Sequence, residues 1–276
     1  MKISQLQTKG KELRELVMNT IHKADFGYLG ASFSCLDILI ALYYGKVGDE
    51  KILSFDAKKP GWDKQDYFVM SKIEGLLAQY AVLADLNFFK KDTLKDYVAG
   101  GNLKFTPNRK VPGVVHTVGS HAEGVAFAVG LASSLKREKA SNMVYAMCAD
   151  YELQKGIFWE SLLMASQNKC DNLVLIIDSA GLQMDGFVKS LRDVMPIQQK
   201  IEAFGFKVIQ VVNGHDYSEI LEAIGRAWRI QKQPVCLWVN TVSGQGISFA
   251  EKNPGYFVSK FSANEFKEAQ KILKNN

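Results

Sequence analysis

The stretch Met143–Gly186, MVYAMCADYELQKGIFWESLLMASQNKCDNLVLIIDSAGLQMDG, decides the fold. Two apolar runs in it, Met143–Ala149 and Leu173–Ile177, end on Asp150 and Asp178. Between them, Gly156–Gln167 carries Phe158, Leu162, Leu163 and Ala165 at helical spacing. Two short apolar runs joined by one helix predict a βαβ unit, because parallel neighbours need a crossover connection. In parallel sheets ligands sit beyond the carboxyl ends of the strands, which is where Asp150 and Asp178 fall. Two roles are open to aspartates at such an edge. They can end strands and cap helices. They can also hold a hard cation such as Mg²⁺ beside phosphate oxygens, with a helix N-terminus supplying N–H groups and a positive dipole end.

The motifs in this stretch are ADYELQKG at Ala149–Gly156, Trp159-Glu160, Asp171-Asn172-Leu173 and DSAGLQMDG at Asp178–Gly186. In order and spacing they resemble the diphosphate-binding core of transketolases. That core reads Gly-Asp-Gly-Glu-Leu-Gln-Glu-Gly, then Trp-Glu, Asp-Asn-Leu and Asp-Arg-Asn-Gly-Leu-Gln-Ile-Asp-Gly. Other segments are similar to the same family: GYLGASFS at Gly27–Ser34, the Ser71-Lys72 segment, VGSHAEG at Val118–Gly124 and Asn213-Gly214-His215-Asp216. The resemblance covers nearly all of the chain. It implies an α/β fold with a mostly parallel sheet and helices on both faces, the diphosphate-side domain of a thiamine diphosphate enzyme. It implies cofactor contacts at Gly119, Ser120, Asp150, Tyr151, Glu152 and Gln183, with Asp150 as a metal ligand.

Several positions depart from the family text. The asparagine that ligates the metal is Ala180, which offers no side-chain oxygen. Ser179 is adjacent, but neighbours in an extended segment alternate faces. The second glycine of Gly-Asp-Gly is Tyr151, where a ring obstructs the approach of phosphate to backbone. Family histidines are replaced at Tyr28, Glu74 and Phe257. Neither Tyr nor Phe titrates near neutrality as His does, and Glu74 opposes an anionic ligand. The expectation is weak or absent binding of thiamine diphosphate and Mg²⁺. His116, His121, Glu123, Asp150 and Glu152 could form a different metal site, but they have no ligand-spacing motif and read as surface or hydrogen-bonded loop residues. His22 and His215 read as structural.

With 276 residues, 47% hydrophobic and 23% charged, the chain suits one domain, residues 1–276, with a substantial core. A net charge of +5 spread over separated doublets does not indicate nucleic acid. Cys35, Cys148, Cys170 and Cys236 form no CxxC pair and suit a reducing cytosol. The N-terminus lacks a signal-type apolar core, and no apolar run suggests a membrane span. Further helices are expected at Ile3–Lys23, from Ser34 as cap to Gly45, at Ser71–Leu86, after Gly119, at Tyr217–Gln231 and at Ser262–Lys274. Strands are expected at Tyr67–Met70, Phe206–Val212 and Val235–Val239.

By the resemblance, full-length members carry a pyrimidine-side domain after this one, so the chain is expected to pair with a separate pyrimidine-side subunit, and its own oligomeric state is expected to be a homodimer or heterotetramer. Three functions follow. One is an active two-chain ketol-transfer enzyme acting on sugar phosphates. Another is a scaffold or regulatory subunit that has lost the cofactor. The last is a site turned to another small anionic ligand.

Overall fold

The computed structural model describes residues 1–59 and 61–275. Five strands form one sheet: β1 (Tyr67–Met70), β2 (Val144–Ala149), β3 (Leu173–Ser179), β4 (Lys207–Val211) and β5 (Val235–Asn240). Their order is β1-β2-β3-β5-β4, and every pairing is parallel. The expected βαβ unit is there. β2 and β3 are direct neighbours, with Val144 opposite Leu173 and Ala149 opposite Asp178. Asp150, one residue past β2, therefore shares an edge with Asp178.

Side chains alternate across the strands and build a core on each face. Tyr145, Met147, Val174 and Ile176 face one layer. It holds α1 (Ile3–Ala24), α2 (Leu29–Tyr44), α3 (Leu76–Asp85), α8 (Tyr217–Ala227) and α9 (Ala263–Asn275). Val144, Ala146, Cys148, Leu173, Leu175 and Ile177 face the other. There α4 (Glu123–Arg137), α5 (Gly156–Gln167) and α7 (Ile197–Ala203) pack. The short helix α6 (Val188–Leu191) follows a two-strand hairpin that joins Leu182–Gln183 to Gly186–Phe187. Phe158 and Leu162 are the knobs that fix α5; both are fully buried, each worth about 1.5–3 kcal/mol.

Two helix starts differ from expectation. α2 begins at Leu29, where the Ser32 amide donates to the Tyr28 carbonyl, and not after Ser34. Ser34 is an interior residue whose hydroxyl turns to Asp178. The early start works because α2 is buried from Leu29 to Tyr43 and packing holds it without a side-chain cap. α3 begins at Leu76, after a 3₁₀ turn at Ile73–Gly75. The reason is that the Ser71 and Lys72 amides still donate to the Met147 carbonyl, prolonging the attachment of β1 to β2. α9 starts as expected: the Ser262 hydroxyl accepts from the Glu265 amide and the Glu265 carboxylate from the Ser262 amide. The four cysteines are buried and unpaired. Among the described residues no helix is long and apolar enough to cross a membrane.

Candidate functional site

The carboxyl ends of β1, β2, β3 and β5 meet the start of α2 and the loop before α4, and polar side chains from all of them converge. Deepest is a buried ion pair. Lys72, 1% exposed, follows β1. Its ammonium donates to Asp178 Oδ2 (2.6 Å), Ser34 Oγ (2.8 Å) and the Ala31 carbonyl (3.0 Å), using all three of its protons. Asp178 also accepts from the hydroxyls of Ser34 and Thr241. This cluster ties β1, β3, α2 and the segment after β5 together. Asp178 is thus spent inside the protein.

Above it, Asp150 is 3% exposed. Its Oδ2 accepts from the Gly181 amide (2.8 Å) and the Ser179 hydroxyl (3.3 Å). The expected alternation of faces does not carry Ser179 away: its hydroxyl reaches Asp150, where Ala180 contributes nothing. Gly181, at φ +69°, has the left-handed conformation that glycine takes without a Cβ penalty. Oδ1 of Asp150 is buried with no hydrogen-bond partner. Burial pushes this carboxyl up to about 6, against the Gly181 hydrogen bond.

Glu152 is fully buried and braces the backbone: its carboxylate accepts from Ser71 Oγ (2.7 Å), the Ala122 amide (2.7 Å) and the Ala149 amide (2.6 Å). Burial pushes it up to about 7 despite these donors.

Four of the substituted positions, Tyr28, Glu74, Tyr151 and Phe257, assemble into one cluster with His121. Glu74, 7% exposed, accepts from the Tyr151 hydroxyl on Oε2 (2.7 Å) and is bonded to His121 Nε2 through Oε1 (2.8 Å). Burial works against this carboxylate, yet His121 and Tyr151 outweigh it and hold Glu74 below the usual range. The Glu74 hydrogen bond raises His121 against its partial burial. The Tyr151 ring, 8% exposed, lies edge-on to His121 (5.7 Å between centroids) and Phe257 (6.3 Å). Tyr28 contacts Phe257, Phe26 and Phe105 in the same edge-on manner. Burial, then the charge of Glu74, raises the Tyr28 phenol.

Other expected residues lie further out. Gly119 and Ser120 are exposed, and their amides donate to Glu123 Oε2 (3.0 and 3.1 Å). Gln183, half-buried, accepts from Gln154. Of the two readings, surface or hydrogen-bonded loop, His116 takes the second. It is fully buried, contacts the Met70 carbonyl through Nε2 (3.1 Å) and stacks on Phe127; burial lowers it to about 4. His22 stacks on Phe266, and His215 Nδ1 contacts Asp37 while Nε2 accepts from the Val242 amide. Among the described residues, no group of three or more His, Cys, Asp and Glu side chains is placed to hold a metal. Sequence reasoning gave no role to Lys72. Its signal was a lone lysine between two apolar runs, a setting where lysine is buried only when paired.

Residues 6–276 match the family described as transketolase, thiamine diphosphate binding domain. The 6-deoxy-6-sulfo-D-fructose transketolase subunit SqwG of Clostridium sp. (strain MSTE9) is 32% identical over 248 residues, spanning 89% of this chain and 88% of that protein. An apulose-4-phosphate transketolase subunit of Phocaeicola vulgatus is 29% identical over 272 residues, spanning 98% and 94%. The crystal structure of transketolase from Campylobacter jejuni superposes with a TM-score of 0.90 at 28% identity, over 99% of this chain but 43% of that one. With the all-parallel sheet and the convergence of Lys72, Asp150, Glu152 and Asp178 at its carboxyl edge, these matches place the chain in the transketolase thiamine diphosphate-binding domain family.

Proposed function

We propose that the chain is the diphosphate-side subunit of a two-chain, transketolase-like assembly, and that it pairs with a separate pyrimidine-side subunit. One observation carries this reading: the chain spans 88–94% of two relatives named as transketolase subunits but 43% of a full transketolase chain. The paired assembly would be a heterotetramer, working in the cytoplasm on ketol transfer between sugar phosphates, the substrate class of the family. Residues 1–276 would act as one domain. Co-expression with the product of a neighbouring pyrimidine-side reading frame, followed by light scattering, tests it. A stable hetero-oligomer is expected; two species that elute separately at micromolar concentration would refute the pairing.

The donor set does not fit a magnesium diphosphate. The orphaned Oδ1 of Asp150 suits a cation, but Ala180 brings no second oxygen and octahedral Mg²⁺ demands one from somewhere else. Glu74 holds negative charge at the same edge, and Tyr151 puts a ring where backbone N–H groups would meet phosphate oxygens. Thiamine diphosphate with Mg²⁺ is therefore expected to bind weakly or not at all. The pairing of Glu74 with Tyr151 and His121 favours a second reading, a subunit that supports the assembly without catalysing, over a pocket turned to another small anion, since an anion meets the same carboxylate. Calorimetric titration of the paired complex with thiamine diphosphate and Mg²⁺ decides between an active and a non-catalytic subunit: saturable heat at micromolar cofactor restores the active reading.

A further inference from the structure

We propose that Glu74, Tyr151 and His121 form a built-in plug: side chains of this protein occupy the cradle at the strand ends and keep a diphosphate out. The inference rests on the reading that this edge derives from a diphosphate-binding site, and it names what fills that site.

The three residues come from separate places, the turn after β1, the turn after β2 and the loop before α4. They meet around one carboxylate. Both Glu74 oxygens are used, Oε2 by the Tyr151 hydroxyl at 2.7 Å and Oε1 by His121 at 2.8 Å. Nothing in this contact calls for an external ligand, because the donors and the acceptor complete one another. The Tyr151 ring is then wedged between His121 and Phe257, whose own neighbour is Tyr28. The plug is therefore aromatic on one side and ionic on the other. Beneath it, Glu152 holds the amides of Ala149 and Ala122. One amide flanks the turn that carries Tyr151 and the other starts α4, so Glu152, which the family text also has, fixes the two segments that carry the plug.

This arrangement differs from a site that has only drifted. Loss of ligands alone leaves an open, hydrated cradle. Here the replacements contact one another, and the cradle is closed by the chain itself. Removing the plug should therefore create affinity that the unaltered protein lacks.

The probe is inorganic pyrophosphate with Mg²⁺, titrated by calorimetry into the full chain. The unaltered protein should give no saturable heat at millimolar pyrophosphate. The double variant Glu74→Gln, Tyr151→Gly removes the charge and the ring, and should bind at least about tenfold more tightly than that limit. Tyr151→Phe keeps the ring and should bind no better than the unaltered protein. Micromolar binding by the unaltered chain overturns the proposal, as does a double variant with native circular dichroism and no gain. If the double variant does not fold, hydrogen exchange on the unaltered chain decides. Unchanged protection at residues 119–123 and 150–155 on adding pyrophosphate and Mg²⁺ supports the plug; increased protection there overturns it. None of these readouts involves the partner subunit, so a failed plug leaves the pairing untouched, and failed pairing leaves the plug testable.

Discussion

Replacing Lys72 with methionine tests whether the buried ion pair is the support of the strand-edge cluster. The ammonium has three acceptors, Asp178, Ser34 and the Ala31 carbonyl, and is 1% exposed. Methionine fills much of the same volume, so the change is mainly electrostatic. It leaves Asp178, fully buried, with hydroxyl donors from Ser34 and Thr241 and no counter-charge. Breaking a buried pair from one side costs about 3–5 kcal/mol, because one charge is stranded. That is a large part of the roughly 5–15 kcal/mol that holds a domain folded. The double change Lys72→Met, Asp178→Asn removes the stranded charge and should be milder than the sum of the singles, with a coupling of about 2–3 kcal/mol. Urea unfolding of the four proteins at neutral pH measures the cycle. A cost below about 1 kcal/mol for Lys72→Met, or a coupling under about 0.5 kcal/mol, would refute the reasoning.

Asp37 takes both terminal nitrogens of the Arg14 guanidinium, His215 Nδ1 and the Tyr217 hydroxyl, tying α1 and α8 to α2; Asp37→Asn should cost about 3–5 kcal/mol in urea unfolding. Phe158→Ala should cost about 3–5 kcal/mol by the same assay, since the ring is fully buried against the sheet. Glu74 is held below its usual 4.5, so its contribution is present above that value and fades as pH falls through the lowered one. His121 is held above 6.5, so its contribution is full below that value and fades as pH rises through the raised one. The stability difference between the unaltered protein and His121→Ala should therefore peak between about pH 4.5 and 6.5 and shrink on both sides; a flat difference in thermal unfolding counts against the pair. Tyr151→Gly with Ala180→Asn should recover Mg²⁺-dependent heat with thiamine diphosphate, measured by calorimetry.

The βαβ unit was legible because its signal is local: two apolar runs, one periodic helix and an aspartate after each run. The same reasoning located Asp150 and Asp178 at one edge. It did not distinguish their roles, because the partners that separate them are remote. Asp178 is claimed by Lys72, 106 residues away, while Asp150 keeps an unpaired oxygen. The start of α2 is not legible locally, because Ser34 has cap chemistry but its hydroxyl is used across the core. The departures at Glu74, Tyr151 and Phe257 were each visible in the sequence. That Glu74 and Tyr151 touch, and that His121 completes the contact, depends on three turns meeting in space.

The strand order has a consequence for how the protein is made. β5 is inserted between β3 and β4, so the sheet is interrupted until the latest of its five strands arrives. Thr241, which closes the hydroxyl ring around Asp178, lies one residue past β5. A nascent chain can thus pair β1, β2 and β3 on the ribosome while leaving a flank of β3 without its neighbour. Exposed strand edges and apolar faces are what chaperones shield in half-made proteins. Synthesis through Thr241 is the step that both seals that flank and completes the buried cluster, so a partner that recognises the finished strand-edge surface would meet only molecules synthesised past that residue.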